Sequence, residues 1–167
     1  MTGSRTNQCG IALLEALIAI VIFLIGALTL IALQATSIAA QADAQYRIEA
    51  ANRVDQIIGE INLNVDRTSA ATTQTTLADY AYNITTDGAC NFSGGTESVS
   101  GTAPVAVSDW VDAMTDDTLP TYFPGATTAM QQILVAPGTF NRITVTVCWQ
   151  APGDAVTRQH SVIAYIN

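Results

Sequence analysis

A long run of apolar residues near the N-terminus constrains this chain more than any other feature. In residues 11–33, Glu15 is the only charge and Thr29 the only other polar side chain. A helix of about 20 apolar residues spans the hydrocarbon core of a bilayer. With 167 residues the chain has room for one ordinary domain, too small to bury a helix of this kind. We therefore predict that the helix lies in a membrane or against copies of itself.

Two ordinary explanations compete for this segment, a cleaved secretory signal and a plain signal anchor. A cleaved signal has a shorter apolar region, of about 7 to 15 residues, followed by small residues, and residues 37–40 offer such a site only loosely. A plain anchor leaves Glu15 unexplained, because a charge at the centre of a membrane costs about 3 kcal/mol or more. The nearest basic residue, Arg5, is ten positions away. We predict that Glu15 is paired by another chain or by a new amino terminus.

Residues 10–19, GIALLEALIA, resemble the processing signal of type IV prepilins. That signal is a short polar leader ending in Gly, followed by a hydrophobic helix with Glu at its fifth position. In the family, a membrane peptidase cuts after the Gly and methylates the new first residue. The resemblance therefore implies cleavage between Gly10 and Ile11, N-methylation of Ile11, and an assembly role for Glu15. Glu15 would neutralise the new amine of a neighbouring subunit where opposite charges attract more strongly than in water.

The helical pattern continues past the membrane-length segment. Apolar residues recur at three- and four-residue spacing up to Val65, and no Pro occurs before Pro104. We predict a near-continuous helix over residues 11–67, about 85 Å long at 1.5 Å per residue. Its second part is expected to pack on a small head, with coiled-coil dimerisation as the alternative. The predicted stripe is Ala44, Ile48, Ala51, Val54, Ile58, Ile61 and Val65.

From residue 68 the chain becomes rich in Thr, Ser, Gly and Asp, with eight acids against Arg142 and Arg158. Residues 142–149 alternate between apolar and polar side chains and form the clearest predicted strand. Residues 133–136 and 156–166 are its expected antiparallel partners. We also predict a loop over 68–76, a strand over 80–86, and a short helix over 109–114 with Ser108 as its N-cap. The predicted fold class is α+β, a long N-terminal helix, membrane-spanning in its first half, packed on a small antiparallel β-sheet head.

The segment around Trp110, the Leu119-Pro120 pair and the strand ending at Trp149 resemble the head of PilV-like minor pilins. That resemblance implies a minor type IV pilin, a non-enzymatic structural subunit for pilus assembly and surface presentation in adhesion, motility or DNA uptake. A minor pseudopilin of a type II secretion system shares the N-terminal features and is the nearest alternative. A signal-anchored periplasmic enzyme or binding domain is the alternative of another class.

The resemblance also implies a domain plan, partners and a location. The plan is a leader over 1–10, a transmembrane and assembly helix over 11–33, its amphipathic continuation over 34–67, and an acidic head over 68–167. The implied partners are major and minor pilins, prepilin peptidase, the inner-membrane assembly platform, and membrane lipid before assembly. The implied location is the bacterial inner membrane, crossed once with the head in the periplasm, and then the pilus at the cell surface.

The three cysteines become an even number once the leader is removed, because Cys9 leaves with it. Cys90 and Cys148 then remain, and in an oxidising compartment they are expected to form a disulfide. The alternative is two separate buried thiols.

The sequence predicts no cofactor, metal site or catalytic group. Only 12% of the residues are charged, against about 25% in an average soluble domain, and His160 is the sole histidine. All six basic residues are unclustered arginines, so nucleic acid is not expected as the main partner. The acids at 109, 112, 116 and 117 are interpreted as a solvated face in preference to a Ca²⁺ site.

Overall fold

The computed structural model of the protein describes residues 9–85, 90–92 and 104–167. Its longest element is helix α1, Cys9–Asn64, which confirms the predicted long N-terminal helix. The predicted leader lies outside the described residues except for the start of α1. The chain divides into two compact units, Met1–Ala44 and Gln45–Asn167. The described part of the first unit is helix, and the second unit contains the rest of α1 and the head.

At the end of helix α1, side chains donate hydrogen bonds to backbone carbonyl groups that have no partner within the helix. The Asn64 amide donates to the Glu60 carbonyl at 3.0 Å, and the Arg67 guanidinium donates to the carbonyls of Asn62 at 2.7 Å and Val65 at 3.1 Å. The last carbonyls of a helix have no partner within the helix. Asn64 and Arg67 therefore stabilise the end of α1 and the turn that follows.

The head contains a three-stranded antiparallel sheet in the order β1-β2-β3. Its strands are β1 (Gln131–Ala136), β2 (Arg142–Trp149) and β3 (Arg158–Tyr165). In the register, Val145 lies opposite Ile133 on one side and Val162 on the other. All three predicted strands of this sheet are confirmed. The expected strand over 80–86 is reduced, in the described residues, to one bridge between Tyr82 and Ile133.

One face of the sheet and the second part of α1 form the core. Ala50, Val54, Ile57 and Ile61 are at most 2% exposed, and they belong to the same buried cluster as Ile133, Ile143, Val145, Val147 and Trp149. The predicted stripe was right for Val54 and Ile61 but wrong for Ile48, which is 64% exposed. Several faces of this helix satisfy three- and four-residue spacing, and only the position of the sheet selects one of them.

The prediction of a loop over residues 68–76 is wrong, because helix α2 occupies Ala70–Ala78. Ser69 caps it by accepting a hydrogen bond from the Thr72 backbone N–H at 3.1 Å. Hydroxyl groups of the Thr residues donate to carbonyls one turn earlier, as Thr73 does to Ser69 at 2.9 Å. Leu77 is fully buried. The burial of Leu77 and the Ser69 cap outweigh the weak helix propensity of Thr.

Helix α3, Val105–Thr115, begins four residues earlier than predicted. Its N-cap position is held by Pro104, and the Ser108 hydroxyl donates to the Val105 carbonyl at 2.8 Å. The assignment of Ser108 as the N-cap is therefore wrong. The helix is anchored by Trp110, which is 4% exposed and donates its indole N–H to the Arg53 carbonyl of α1 at 2.8 Å.

Candidate functional site

Residues 11–33 present apolar side chains on all sides of helix α1. The large apolar side chains in this range are 45% to 74% exposed. Among the described residues, one helix, Ile11–Asn64, is long and apolar enough to cross a membrane, by length and composition. A helix that is apolar all round is stable when lipid or other protein covers it. The first unit is therefore a candidate surface for membrane anchoring and for packing against other helices.

The residues that the sequence analysis assigned to processing and assembly lie together at the start of this helix. Gly10 and Ile11 fall in the first turn, because α1 begins at Cys9. Glu15 follows Ile11 by four residues, a spacing that places both side chains on one face of the helix. Glu15 is exposed. It has no hydrogen bond or ion pair with any residue that the structure describes.

The Thr29 hydroxyl of the apolar segment, and the Thr36 hydroxyl just beyond it, form hydrogen bonds within the helix. Thr29 donates to the Gly26 carbonyl at 2.7 Å, and Thr36 donates to the Leu33 carbonyl at 2.9 Å. Such bonds remove the cost of placing a hydroxyl in a medium without water. Glu15 differs from these residues, because no described residue bonds its carboxylate.

In the head, a disulfide joins Cys90 to Cys148. Cys148 lies in β2, the central strand, and is fully buried. Cys90 and Phe92 form a small second cluster with it, against which Met130 packs. The disulfide thus fastens residues 90–92 to the sheet.

Buried amide side chains fasten a second segment to the same end of the sheet. Asn83 donates to the carbonyls of Thr128 at 2.7 Å and Gln131 at 2.8 Å. Gln132 donates to the carbonyls of Asn83 at 2.8 Å and Thr85 at 2.9 Å. Buried polar groups are costly unless bonded, so this network holds residues 83–85 in one position.

Two exposed carboxylates of the head serve as hydrogen-bond acceptors in turns. The pKa of Asp116 is lowered because the Thr118 hydroxyl, at 2.7 Å, and the Thr118 backbone N–H, at 2.9 Å, donate to it. The pKa of Asp66 is lowered mainly by the Thr68 backbone N–H at 2.8 Å. Burial is the main cause that raises the pKa of Tyr80 and that of Tyr82. In the described ranges, no group of three or more His, Cys, Asp or Glu residues is placed to hold a metal ion.

His160, Ser161 and Asp154 are close in sequence, but the structure does not assemble them into one site. His160 and Ser161 are consecutive in β3, so their side chains leave opposite faces of the sheet. The Ser161 hydroxyl lies 3.0 Å from that of Thr146. Asp154 forms a salt bridge with Arg158 at 3.0 Å.

The sequence analysis missed one prominent surface residue, Phe140, which is 83% exposed in the turn between β1 and β2. A signal for it exists in the sequence. Phe140 and Asn141 are the last two residues of the turn between β1 and β2, where tight hairpin turns usually carry Asn-Gly or Asp-Gly.

Comparison with known protein families gives a match over the N-terminal segment. Residues 5–31 match the family model described as the prokaryotic N-terminal methylation motif. The matched range contains Gly10, Ile11 and Glu15 and most of the exposed apolar helix. No curated protein and no solved structure matches the chain. The chain therefore carries the N-terminal methylation motif, a type IV prepilin-like signal, which indicates a type IV pilin-like or pseudopilin-like protein.

Proposed function

We propose that this protein is a minor type IV pilin of the PilV-like group, a structural subunit that takes part in pilus assembly and surface presentation. The observation that carries the proposal is Glu15, which has no partner among the residues described by the structure and lies in an exposed apolar helix, four residues after Ile11 and within the methylation motif. A charge in this position is costly in lipid. It becomes favourable when a neighbouring subunit supplies a positive group.

In this proposal the chain is inserted in the inner membrane with its head in the periplasm. Prepilin peptidase cuts between Gly10 and Ile11 and methylates Ile11. The assembly platform then transfers the helix from lipid into a filament of major and minor pilins. The apolar surface of residues 11–33 exchanges lipid for neighbouring helices, and Glu15 pairs with the new amine on Ile11 of the adjacent subunit. The disulfide between Cys90 and Cys148 supports a head that works outside the cytoplasm, because disulfides persist in oxidising compartments.

The first test is the N-terminal residue of the mature protein, read by mass spectrometry with and without prepilin peptidase. We expect N-methylated Ile11 only when the peptidase is present. An intact Met1, or a cut near Ala40, would place the chain among anchored or secreted domains and would remove the role proposed for Glu15.

The second test separates membrane insertion from assembly. Glu15→Gln keeps the size of the side chain and removes its charge, and Thr29→Val is a control in the same exposed segment. We expect both variants to reach the membrane fraction equally, but the amount of Glu15→Gln protein in sheared filaments to fall about tenfold or more, the effect of losing a desolvated ion pair. Incorporation at the level of the control would contradict the mechanism. Copurification with secretion pseudopilins instead of pilins would identify a pseudopilus.

A further inference from the structure

The sheet of the head has two edges, and the described residues cover them differently. At the edge of β1, the Tyr82 N–H donates to the Ile133 carbonyl at 3.0 Å, and the Ile133 N–H donates back to the Tyr82 carbonyl at 2.9 Å. The Gln132 amide fixes the same segment through the carbonyls of Asn83 and Thr85. Strand β3 forms the other edge, and in the described part of the chain no strand pairs with its outer side.

The register shows which main-chain groups of β3 point away from the sheet. The Ile166 N–H donates to the Asn141 carbonyl at 3.1 Å, so residue 166 directs its main-chain groups toward the neighbouring strand. Residues that bond the neighbour alternate along an antiparallel strand with residues that do not. The outward N–H and C=O groups of the second half of β3 therefore belong to Ser161, Ile163 and Tyr165.

Over residues 161–165 this edge lacks the features that block further pairing. The sequence SVIAY contains no Pro, Gly or charged residue, and β3 pairs with β2 residue by residue without a bulge. Ile163 and Tyr165 are 57% and 56% exposed, whereas Val162 and Ala164 pack against the core from the other face. Natural proteins usually protect such an edge with charges, Pro, a bulge or a covering segment. The edge is therefore a rigid template for another extended chain.

The main-chain groups on this edge select one kind of ligand. Each outward residue presents one donor and one acceptor, and the pairs repeat every two residues, about 6.7 Å apart. An extended peptide has the same repeat, whereas the main-chain groups inside a helix are already bonded to each other. Ile163 and Tyr165 favour apolar side chains on the adjacent strand, because cross-strand pairs of apolar residues stabilise a sheet. The edge thus fits an extended segment with apolar residues at alternate positions.

Two observations argue against a second copy of β3 as that segment. Antiparallel pairing of two identical edges relates the two heads by a half-turn about an axis normal to the sheet. The second part of α1 packs on one face of the sheet, so the half-turn reverses its direction and sends the two N-terminal helices opposite ways. Each chain also carries a formal net charge of −8, so two copies repel each other. A different protein is free of both constraints.

We propose that the outer edge of β3 pairs, over residues 161–165, with an extended segment of a different protein whose apolar side chains lie beside Ile163 and Tyr165. The pairing adds one strand to the sheet, and main-chain hydrogen bonds hold the partner. The identity of the partner rests on the proposed function, because in a pilus the other subunits of the filament supply the segment. The contact joins heads, in addition to the packing of N-terminal helices.

The first test asks whether the edge is open in the chain by itself. Hydrogen–deuterium exchange is measured residue by residue on the full chain in mild detergent. We expect the amides of Ile163 and Tyr165 to exchange at least about 100-fold faster than those of Val162 and Ala164, which bond β2. Equal protection of all four amides would mean that another part of the chain covers the edge, and it would overturn the proposal.

The second test traps the partner in cells, with the photoreactive residue p-benzoylphenylalanine in place of Tyr165 in the full chain. We expect a covalent adduct with a different protein, found in native membranes and in sheared filaments and identified by mass spectrometry as a pilus subunit. The same photoreactive residue at position 156 is the control, because Val156 is also exposed, at 66%, but lies in the turn between β2 and β3. No adduct, or an adduct between two copies of this chain, would contradict the proposal.

A pair of variants at position 163 tests whether main-chain pairing holds the partner. Ile163→Pro removes an N–H that points outward, so the bonds between β3 and β2 remain, and Pro is tolerated at such edge positions. Ile163→Thr changes the side chain but keeps the N–H. We expect the adduct at position 165 to fall about tenfold or more with Pro, as for the loss of one or two hydrogen bonds, and to persist with Thr. Equal yields in the two variants would show that the partner binds without strand pairing.

The fold of both variants is checked by thermal unfolding, and their midpoints should agree within about 5 °C. If Pro lowers the midpoint further, the exchange and cross-linking tests still decide, because they use the parent main chain.

Failure of this contact is distinguishable from failure of the proposed function. If N-methylated Ile11 and filament incorporation are found but position 165 gives no adduct, the strand pairing is wrong and the pilin assignment stands. If residues 1–10 are retained while a Pro-sensitive adduct with another membrane-associated protein forms, the strand pairing stands and the pilin assignment is wrong.

Discussion

Removal of the disulfide is the perturbation whose effect is best defined by the structure. Cys90 and Cys148 close a loop with a sequence separation of 58, and the chain-entropy relation for a loop of this length gives about 4 kcal/mol of stabilisation. We expect Cys90→Ala/Cys148→Ala to lower the free energy of unfolding of the head by about this amount. Alanine is used because a Ser hydroxyl at the fully buried position 148 would add a polar group without a partner.

Urea denaturation of the full chain in mild detergent measures the effect. The two tryptophans of the head, Trp110 and Trp149, are both buried, and their fluorescence reports unfolding of the head. With a slope of about 2 kcal/mol per M, the midpoint should fall by about 2 M. Cys9→Ala is the matched control and should leave the midpoint unchanged, since Cys9 is outside the disulfide. A loss below about 1 kcal/mol would refute the reasoning, because the unfolded chain would then gain little freedom from opening the loop.

Two further predictions concern the packing of α3 and the response to pH. Trp110→Phe removes the hydrogen bond to the Arg53 carbonyl and should cost about 1 kcal/mol in urea unfolding, whereas Val105→Ala, at a 72% exposed position of the same helix, should change stability by less than about 0.5 kcal/mol. An equal effect of the two would contradict the anchoring role of Trp110. The pKa of Asp116 is lowered in the folded head. Its hydrogen bonds therefore stabilise the head fully above the unfolded Asp pKa of about 3.9, and this stabilisation is lost as the pH falls through the lower pKa of the folded state. Thermal unfolding midpoints should therefore decline less steeply below pH 4 in Asp116→Asn than in the parent chain, and identical pH profiles would show that this carboxylate contributes nothing.

The sheet was predictable from the sequence because its signal is local. Residues 142–149 alternate with period two, and the turns on either side contain Pro and Gly, so both the strand and its neighbours follow from short-range patterns. The N-terminal segment was predictable for the same reason, since an apolar helix with Glu15 and Gly10 is defined by consecutive residues. Neither conclusion required knowledge of distant contacts.

The wrong predictions concern segments whose structure depends on contacts with residues distant in the sequence. Residues 70–78 contain many Thr and looked like a loop, but Leu77 is buried in the core and selects the helix. The predicted stripe contained Ile48 and Ile58 and omitted Ile57, but the structure buries Ile57 and leaves Ile48 exposed, because the position of the sheet selects the buried face of α1.

By itself, therefore, the sequence determined the long N-terminal helix, the methylation signal around Gly10 and Ile11, and the three-stranded sheet, because each depends on residues close together in the chain. Only the tertiary structure decided which face of α1 is buried, how Trp110 anchors α3, and that Phe140 and Ile48 are exposed. Burial and exposure are properties of how separate elements pack, and packing joins residues that no local pattern connects.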